Sequence, residues 1–169
     1  MIIDKRKFWL FLICVLIWMI VIFRFSSEKS NQSDETSLNV GKVIAEIMVN
    51  DFDKMSEEEQ FEMIEGWNFA IRKTAHFCEY AILGILVISM LLQIDISRKN
   101  AMIFGILICA FYAMSDELHQ YFVPGRACQF RDVCIDTTGA TTGIFVLLIF
   151  VKGYEWLLKN RVAQIGNRS

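Results

Sequence analysis

Proline is almost missing from this sequence: there is one in 169 residues, and it forms the turn signal Pro124-Gly125. Missing too is any C-x-x-C pair. Cys14, Cys78, Cys109, Cys128 and Cys134 are scattered without the spacing of a structural zinc site. Several of them lie in or beside apolar runs, where cysteine behaves as a small hydrophobe. No internal repeat is present. Neither sign of charge is in excess, the formal net charge being −2, and nothing in that balance suits nucleic-acid binding. Residues 1–7 carry Lys5, Arg6 and Lys7, and an unbroken apolar run from Phe8 to Phe23 follows. No A-x-A cleavage pattern closes that run, so it reads as a retained span rather than a secretory leader.

What the sequence has in abundance is apolar surface, with 54% hydrophobic residues, 14 Phe, 8 Met and a mean hydropathy of +0.40. Soluble domains are usually about 45–50% apolar, so the chain reads as an integral membrane protein. Crossing a bilayer core takes about 20 residues, and four apolar runs suffice. The expected fold is all-α, a single polytopic membrane domain over residues 1–169. Four transmembrane helices at 8–25, 72–94, 100–120 and 132–152 form a bundle. An amphipathic helical insert occupies 26–70, and a short tail, 153–169, ends the chain.

The insert is rich in acidic residues. Within it Val40, Val43, Ile44, Ile47 and Met48 follow helical spacing. Ser56 followed by Glu59 has the form of a capping box, ahead of a second short helix carrying Phe61 and Ile64. Trp67 and Phe69 suit the membrane–water boundary. The acidic face reads as solvated surface. Beyond the last span, Lys152, Lys159, Arg161 and Arg168 make the tail polar and poorly constrained.

Three polar clusters stand at the ends of the apolar runs. Lys73, His76, Glu79 and Tyr80 fall within about 120° of one helix face. Asp116, Glu117, His119 and Gln120 span about 160°, with Tyr112 inside the arc. Asp132, Asp136, Gly139 and Gly143 form a stripe about 60° wide. The G-x-x-x-G at Gly139 and Gly143 permits a neighbouring helix to come close, which would aim both aspartates into the bundle. Because four spans alternate sides, all three clusters and the pair Ser26-Ser27 belong to one membrane face. Residues 1–7, 95–100 and 152–169 hold nine of the seventeen Lys and Arg in few positions. That density places the N- and C-termini in the cytoplasm and the clusters outside it.

Ionisable groups at membrane depth are costly and are functional candidates by default. Arg126 offers a planar fork suited to phosphate, and Lys73 adds a point charge. His76 or His119 could carry a proton near neutral pH, with Glu79, Asp116, Glu117 or Asp132 orienting it. Those six residues form the candidate catalytic set. Lys73, Gln120, Arg126 and Asp136 form the candidate ligand-binding set. The expected site is a pocket that binds or acts on an anionic headgroup, and any chemistry there would be hydrolysis or transfer at a lipid phosphate. It requires no cofactor. A divalent metal held by His76, Glu79, Asp116, Glu117, His119 and Asp132 is a second reading, since mixed nitrogen and oxygen ligands suit a borderline metal. A structural ion-pair network is a third. Transport is the weakest, because beyond Ser89 the other halves of the spans hold almost no polar residue. Tyr80, Tyr112 and Tyr121 read as interface anchors, and Cys128 as an exposed thiol.

Three motifs occur in order: Lys73-x-x-His76-x-x-Glu79-Tyr80, Ser115-Asp116-Glu117-x-His119-Gln120-x-Phe122-Val123-Pro124-Gly125-Arg126, and Asp132-x-x-x-Asp136-x-x-Gly139-Ala140-x-x-Gly143. Together with Ser26-Ser27 they resemble the VanZ-like family of bacterial membrane proteins. The resemblance covers about residues 70–150 and the end of the first span. It implies a small multi-pass protein of the bacterial cell membrane. The family's founding type is associated with low-level resistance to the glycopeptide teicoplanin. The implied partners are therefore membrane lipid and a lipid-linked cell-wall intermediate or glycopeptide. Residues 28–70 fall outside the shared motifs, and Cys128 stands where small or hydroxyl residues are common.

Overall fold

The computed structural model describes residues 2–166, with side chains described as far as Arg161. It contains five α-helices: α1 (Lys5–Ser26), α2 (Ser30–Met48), α3 (Glu57–Leu91), α4 (Arg98–Gln120) and α5 (Phe130–Gly166). No strand is present among the described residues. Helix starts follow local chemistry. Asp4 caps α1 by accepting the backbone N–H groups of Arg6 and Lys7, both at 3.1 Å, and the bond from Lys7 leads in holding its carboxyl below the usual range. Ser56 and Glu59 form the reciprocal capping box at the head of α3. Ser97 caps α4 by accepting the Asn100 N–H at 3.2 Å.

Two boundaries differ from the sequence expectation. The helix after Ser56 does not stop before the second span but runs on for 35 residues as α3. No proline interrupts it, and one glycine, Gly66, is too weak a breaker to end it. The stretch after 152, expected to be loose, continues α5 to Gly166, and an ion pair from Glu155 to Arg98 ties it to the head of α4. Arg168 lies outside the described residues.

Four of these helices, α1, α3, α4 and α5, are long and apolar enough to cross a membrane. Their closest contact joins α3 and α5, which run parallel. A Cβ at Gly139 would strike the carbonyl of Phe77, and one at Gly143 that of Ala81. From the other side, a Cβ at Gly84 would strike the carbonyl of Ala140. Backbones this close require the missing side chains. Around the seam, Tyr80, Leu83, Val87, Ile88, Ala113 and Ile144 form the buried core, and Ile22 of α1 and Cys109 of α4 complete it. The outward faces keep large apolar side chains exposed, among them Trp9, Ile20, Phe111, Ile149 and Phe150, as lipid-facing helices do.

The two ends of the bundle are chemically distinct. At one, the N–H of Ile3 donates to the carbonyl of Gln93 at 2.7 Å, joining the N-terminus to the α3–α4 connector. At the other lie the α1–α2 and α4–α5 connectors and the three polar clusters. Helix α2 folds back along the first half of α3. Its buried residues there are Ser37, Gly41 and Ala45, while Val40, Val43, Ile47 and Met48 stay exposed.

Candidate functional site

The α3–α5 seam sets the site. Seven residues before Gly139, Asp132 comes level with Lys73, and the two form an ion pair whose side chains are 18% and 13% exposed. One turn further along α5, Asp136 is buried. On α3, His76 follows Lys73, and its Nδ1 stands 3.7 Å from Glu79 Oε2, beyond hydrogen-bonding distance. The end of α4 closes the other side. Glu117 accepts the backbone N–H of Gln129 at 2.6 Å, which fixes the chain just ahead of α5. Asp116 accepts from Ser26 Oγ at 2.6 Å, and Gln120 donates to the same hydroxyl at 3.0 Å, joining the end of α1 to α4.

Two cavities result, and His76 lines both. The inner one, bounded also by Lys73, Glu117, Gln120, Asp132 and Asp136, has a volume of about 10 Å³. That is room for about one water-sized group. The outer one, about 190 Å³, is lined by Arg126, Arg72, Glu79, Glu28 and Phe25 among others. Arg126 reaches it from the α4–α5 connector, where Gly125 makes the turn at φ 81°. Its Nε donates to the carbonyl of Glu28 at 3.4 Å, and it forms no ion pair with any described residue. Burial pulls its pKa down, and the neighbouring Arg72 adds to the effect. Four acids and bases of the site, His76 (Nδ1), Glu79 (Oε2), Asp116 (Oδ1) and Asp132 (Oδ1), each present a buried atom with no hydrogen-bond partner among the described residues. Native structures rarely leave such atoms unpaired.

A family model described as VanZ/LLP1 matches residues 11–151. The chain belongs to the VanZ/LLP1 family. No curated protein and no solved structure matches it. The VanZ/LLP1 match starts inside α1 and ends at Val151, so it takes in Ser26 and all three clusters. It also runs through residues 28–70, which the motifs alone leave out.

Within this VanZ/LLP1 chain, eight of the ten residues singled out from sequence line the two cavities: Lys73, His76, Glu79, Glu117, Gln120, Arg126, Asp132 and Asp136. Asp116 lies just behind them in the Ser26–Gln120 network. His119 does not join them. Its Nε2 is 3.1 Å from Ser27 Oγ and its ring lies against Phe23, with centroids 4.3 Å apart, so it faces α1. Among the described residues no three His, Cys, Asp or Glu side chains converge closely enough to hold a metal ion. Tyr80 is a core residue with 0% exposure, and Tyr112 donates its hydroxyl to the carbonyl of Met19 at 2.6 Å, so neither is an interface anchor. Tyr121 is exposed.

Three contributors escaped the sequence reading. Asp34 of α2 pairs with Arg72 and accepts from Asn68 at 3.2 Å, so part of the acidic insert serves as a tether rather than as solvated surface. Glu28 supplies the carbonyl under Arg126. Trp18 donates its indole N–H to the carbonyl of Glu79 at 2.8 Å, fixing α1 against the site. All three are distant in sequence from their partners, and no local pattern marks them.

Proposed function

We propose that this VanZ/LLP1 protein lies in the bacterial cell membrane with both termini in the cytoplasm, and that the polar end of its bundle binds the anionic headgroup of an envelope lipid from the outer side. The observation that carries the reading is Arg126, a half-buried guanidinium at the edge of a 190 Å³ cavity that forms no ion pair with any described residue. A partly desolvated cation is stabilised by an anion, and the guanidinium fork matches phosphate geometry. His76 and Glu79 border the same space and would hold or pass a proton there. Hydrolysis or transfer at the phosphate is the reaction those groups would serve. A lipid-linked cell-wall intermediate is the partner of choice, and an effect on glycopeptide susceptibility belongs to the same proposal.

The structural-brace reading rests on a specific observation too: Lys73 is already matched to Asp132. The two readings meet in one experiment. The full-length protein in detergent is titrated with glycerol 3-phosphate, with the ³¹P line width as the readout. Binding to the wild type and a loss of about tenfold or more in affinity for Arg126→Gln, roughly 1.4 kcal/mol, is the expected result. Equal binding by the two, with both folded, leaves only the brace.

A further inference from the structure

Next to the outer cavity, α2 and α3 frame an open groove of about 660 Å³, lined by Val40, Ile44 and Met48 from α2 and Trp67, Ile71 and Cys78 from α3. No charged side chain lines it. Along α3 it extends from Trp67 to Cys78, about 16 Å at the helical rise. Val40, Ile71 and Ala75 line both this groove and the cavity that holds Arg126, so the two form one trough. The trough is apolar against the C-terminal half of α2 and charged against its N-terminal half, where Arg126 and the Asp34-paired Arg72 stand with Glu28 and Glu79.

Its height in the membrane matters. Helix α3 is about 52 Å long, whereas the hydrocarbon core of a bilayer is about 30 Å thick. With Leu91 at the far end, roughly the first 15 residues stand beyond the core, and the groove straddles the level at which the helix leaves it. Over its outer part the apolar walls meet headgroups and water instead of lipid tails, and burying them there is favourable by about 25 cal/mol per Å². A linear hydrocarbon chain attached to an anionic head fits both ends of the trough. A second protein helix would match the apolar walls but leave the Arg126 end without a counter-ion.

We infer that the α2–α3 groove holds one hydrocarbon chain of the anionic lipid whose headgroup occupies the Arg126 cavity; the inference rests on the headgroup reading above and adds the chain to it. Helix α2 is then a wall of the lipid site. The groove contains its own reporter, the exposed thiol of Cys78, while Cys128 and Cys134 are exposed elsewhere.

The test uses the full chain in a steroid detergent without a linear tail, with dodecyl phosphate and glycerol 3-phosphate as probes. Dodecyl phosphate should slow alkylation of Cys78 by N-ethylmaleimide at least about fivefold while Cys128 and Cys134 react as before, and glycerol 3-phosphate should not protect Cys78. Thr74→Trp, which fills the groove, should weaken dodecyl phosphate at least about tenfold and leave glycerol 3-phosphate unchanged. If glycerol 3-phosphate binds but Cys78 stays unprotected and Thr74→Trp binds dodecyl phosphate as the wild type does, the groove is not the chain site and the headgroup reading stands. Binding of neither probe to the wild type overturns both. Protection of Cys78 that follows protein concentration rather than dodecyl phosphate assigns the groove to a second copy and overturns the inference.

Discussion

Lys73 and Asp132 hold opposite charges on two helices whose backbones touch, and each side chain is less than one-fifth exposed. Removing one partner strands the other. In soluble proteins breaking a buried pair costs about 3–5 kcal/mol, whereas polar contacts inside membrane proteins average nearer 0.6 kcal/mol. Near the headgroup level, Lys73→Ala should therefore cost about 2 kcal/mol, read as a lower thermal midpoint of the purified protein. The double variant Lys73→Met with Asp132→Leu should recover most of that loss, because no unpaired charge remains. Recovery of stability without recovery of glycerol 3-phosphate binding would separate the pair's structural share from its functional one. Candidates were legible at this scale: the expense of ionisable groups beside apolar runs marked His76 and Asp132, and the guanidinium fork marked Arg126. Direction was less so. An arc of about 160° on α4 faces two neighbours at once, and sequence could not say that His119 turns to Phe23 of α1 while Glu117 turns to the start of α5.

At the scale of elements, small residues decide which helices meet. The stripe at Gly139 and Gly143 announced a close neighbour, and the structure identifies that neighbour as α3 at Phe77 and Ala81. Gly143→Leu would force a side chain into the Ala81 carbonyl, push α5 from α3 and separate Asp132 from Lys73. The expected outcome is loss of folded protein on size-exclusion chromatography. Gly66 gives the contrast, because nothing lies within 4 Å of a Cβ placed there. In the interior of α3, Gly66→Ala should raise stability by about 0.5–1 kcal/mol, since alanine has less backbone freedom to lose. An unchanged or lower thermal midpoint would show that α3 is not one continuous helix at that point. The same principle explains why the seating of α2 was hard to foresee. Its apolar stripe drew attention, but Ser37, Gly41 and Ala45 form the buried side, because at Gly41 the missing side chain leaves room for the side chains of Ile64 and Ile71 from α3.

At the scale of the whole molecule the question is which way the bundle faces, and sequence left the count of Lys and Arg nearly tied between the two sides. The proposed orientation rests on where the cations gather. At the end that carries the polar clusters, Lys54, Arg72 and Lys73 are each matched to an aspartate: Asp51, Asp34 and Asp132. At the opposite end, the Ile3–Gln93 hydrogen bond brings Lys5 and Arg6 to the same level as Arg98 and Lys99, and α5 carries Lys152, Lys159 and Arg161 beyond its apolar run on that side. Basic residues at an anionic inner leaflet contribute about 1 kcal/mol each, and this end gathers them within short segments, although Arg98 is itself paired with Glu155. The polar end should then face outward. On intact cells a membrane-impermeant maleimide should label the exposed Cys128, and Cys128→Ser should lower that label. In the Cys128→Ser background, a thiol placed by Lys99→Cys should stay unlabelled until the cells are opened. The opposite pattern would turn the protein over and move the headgroup site to the inner leaflet, where cytoplasmic phosphates compete for Arg126. Since Cys128 and Lys99 lie at opposite ends of α4, the two labelling positions must invert together.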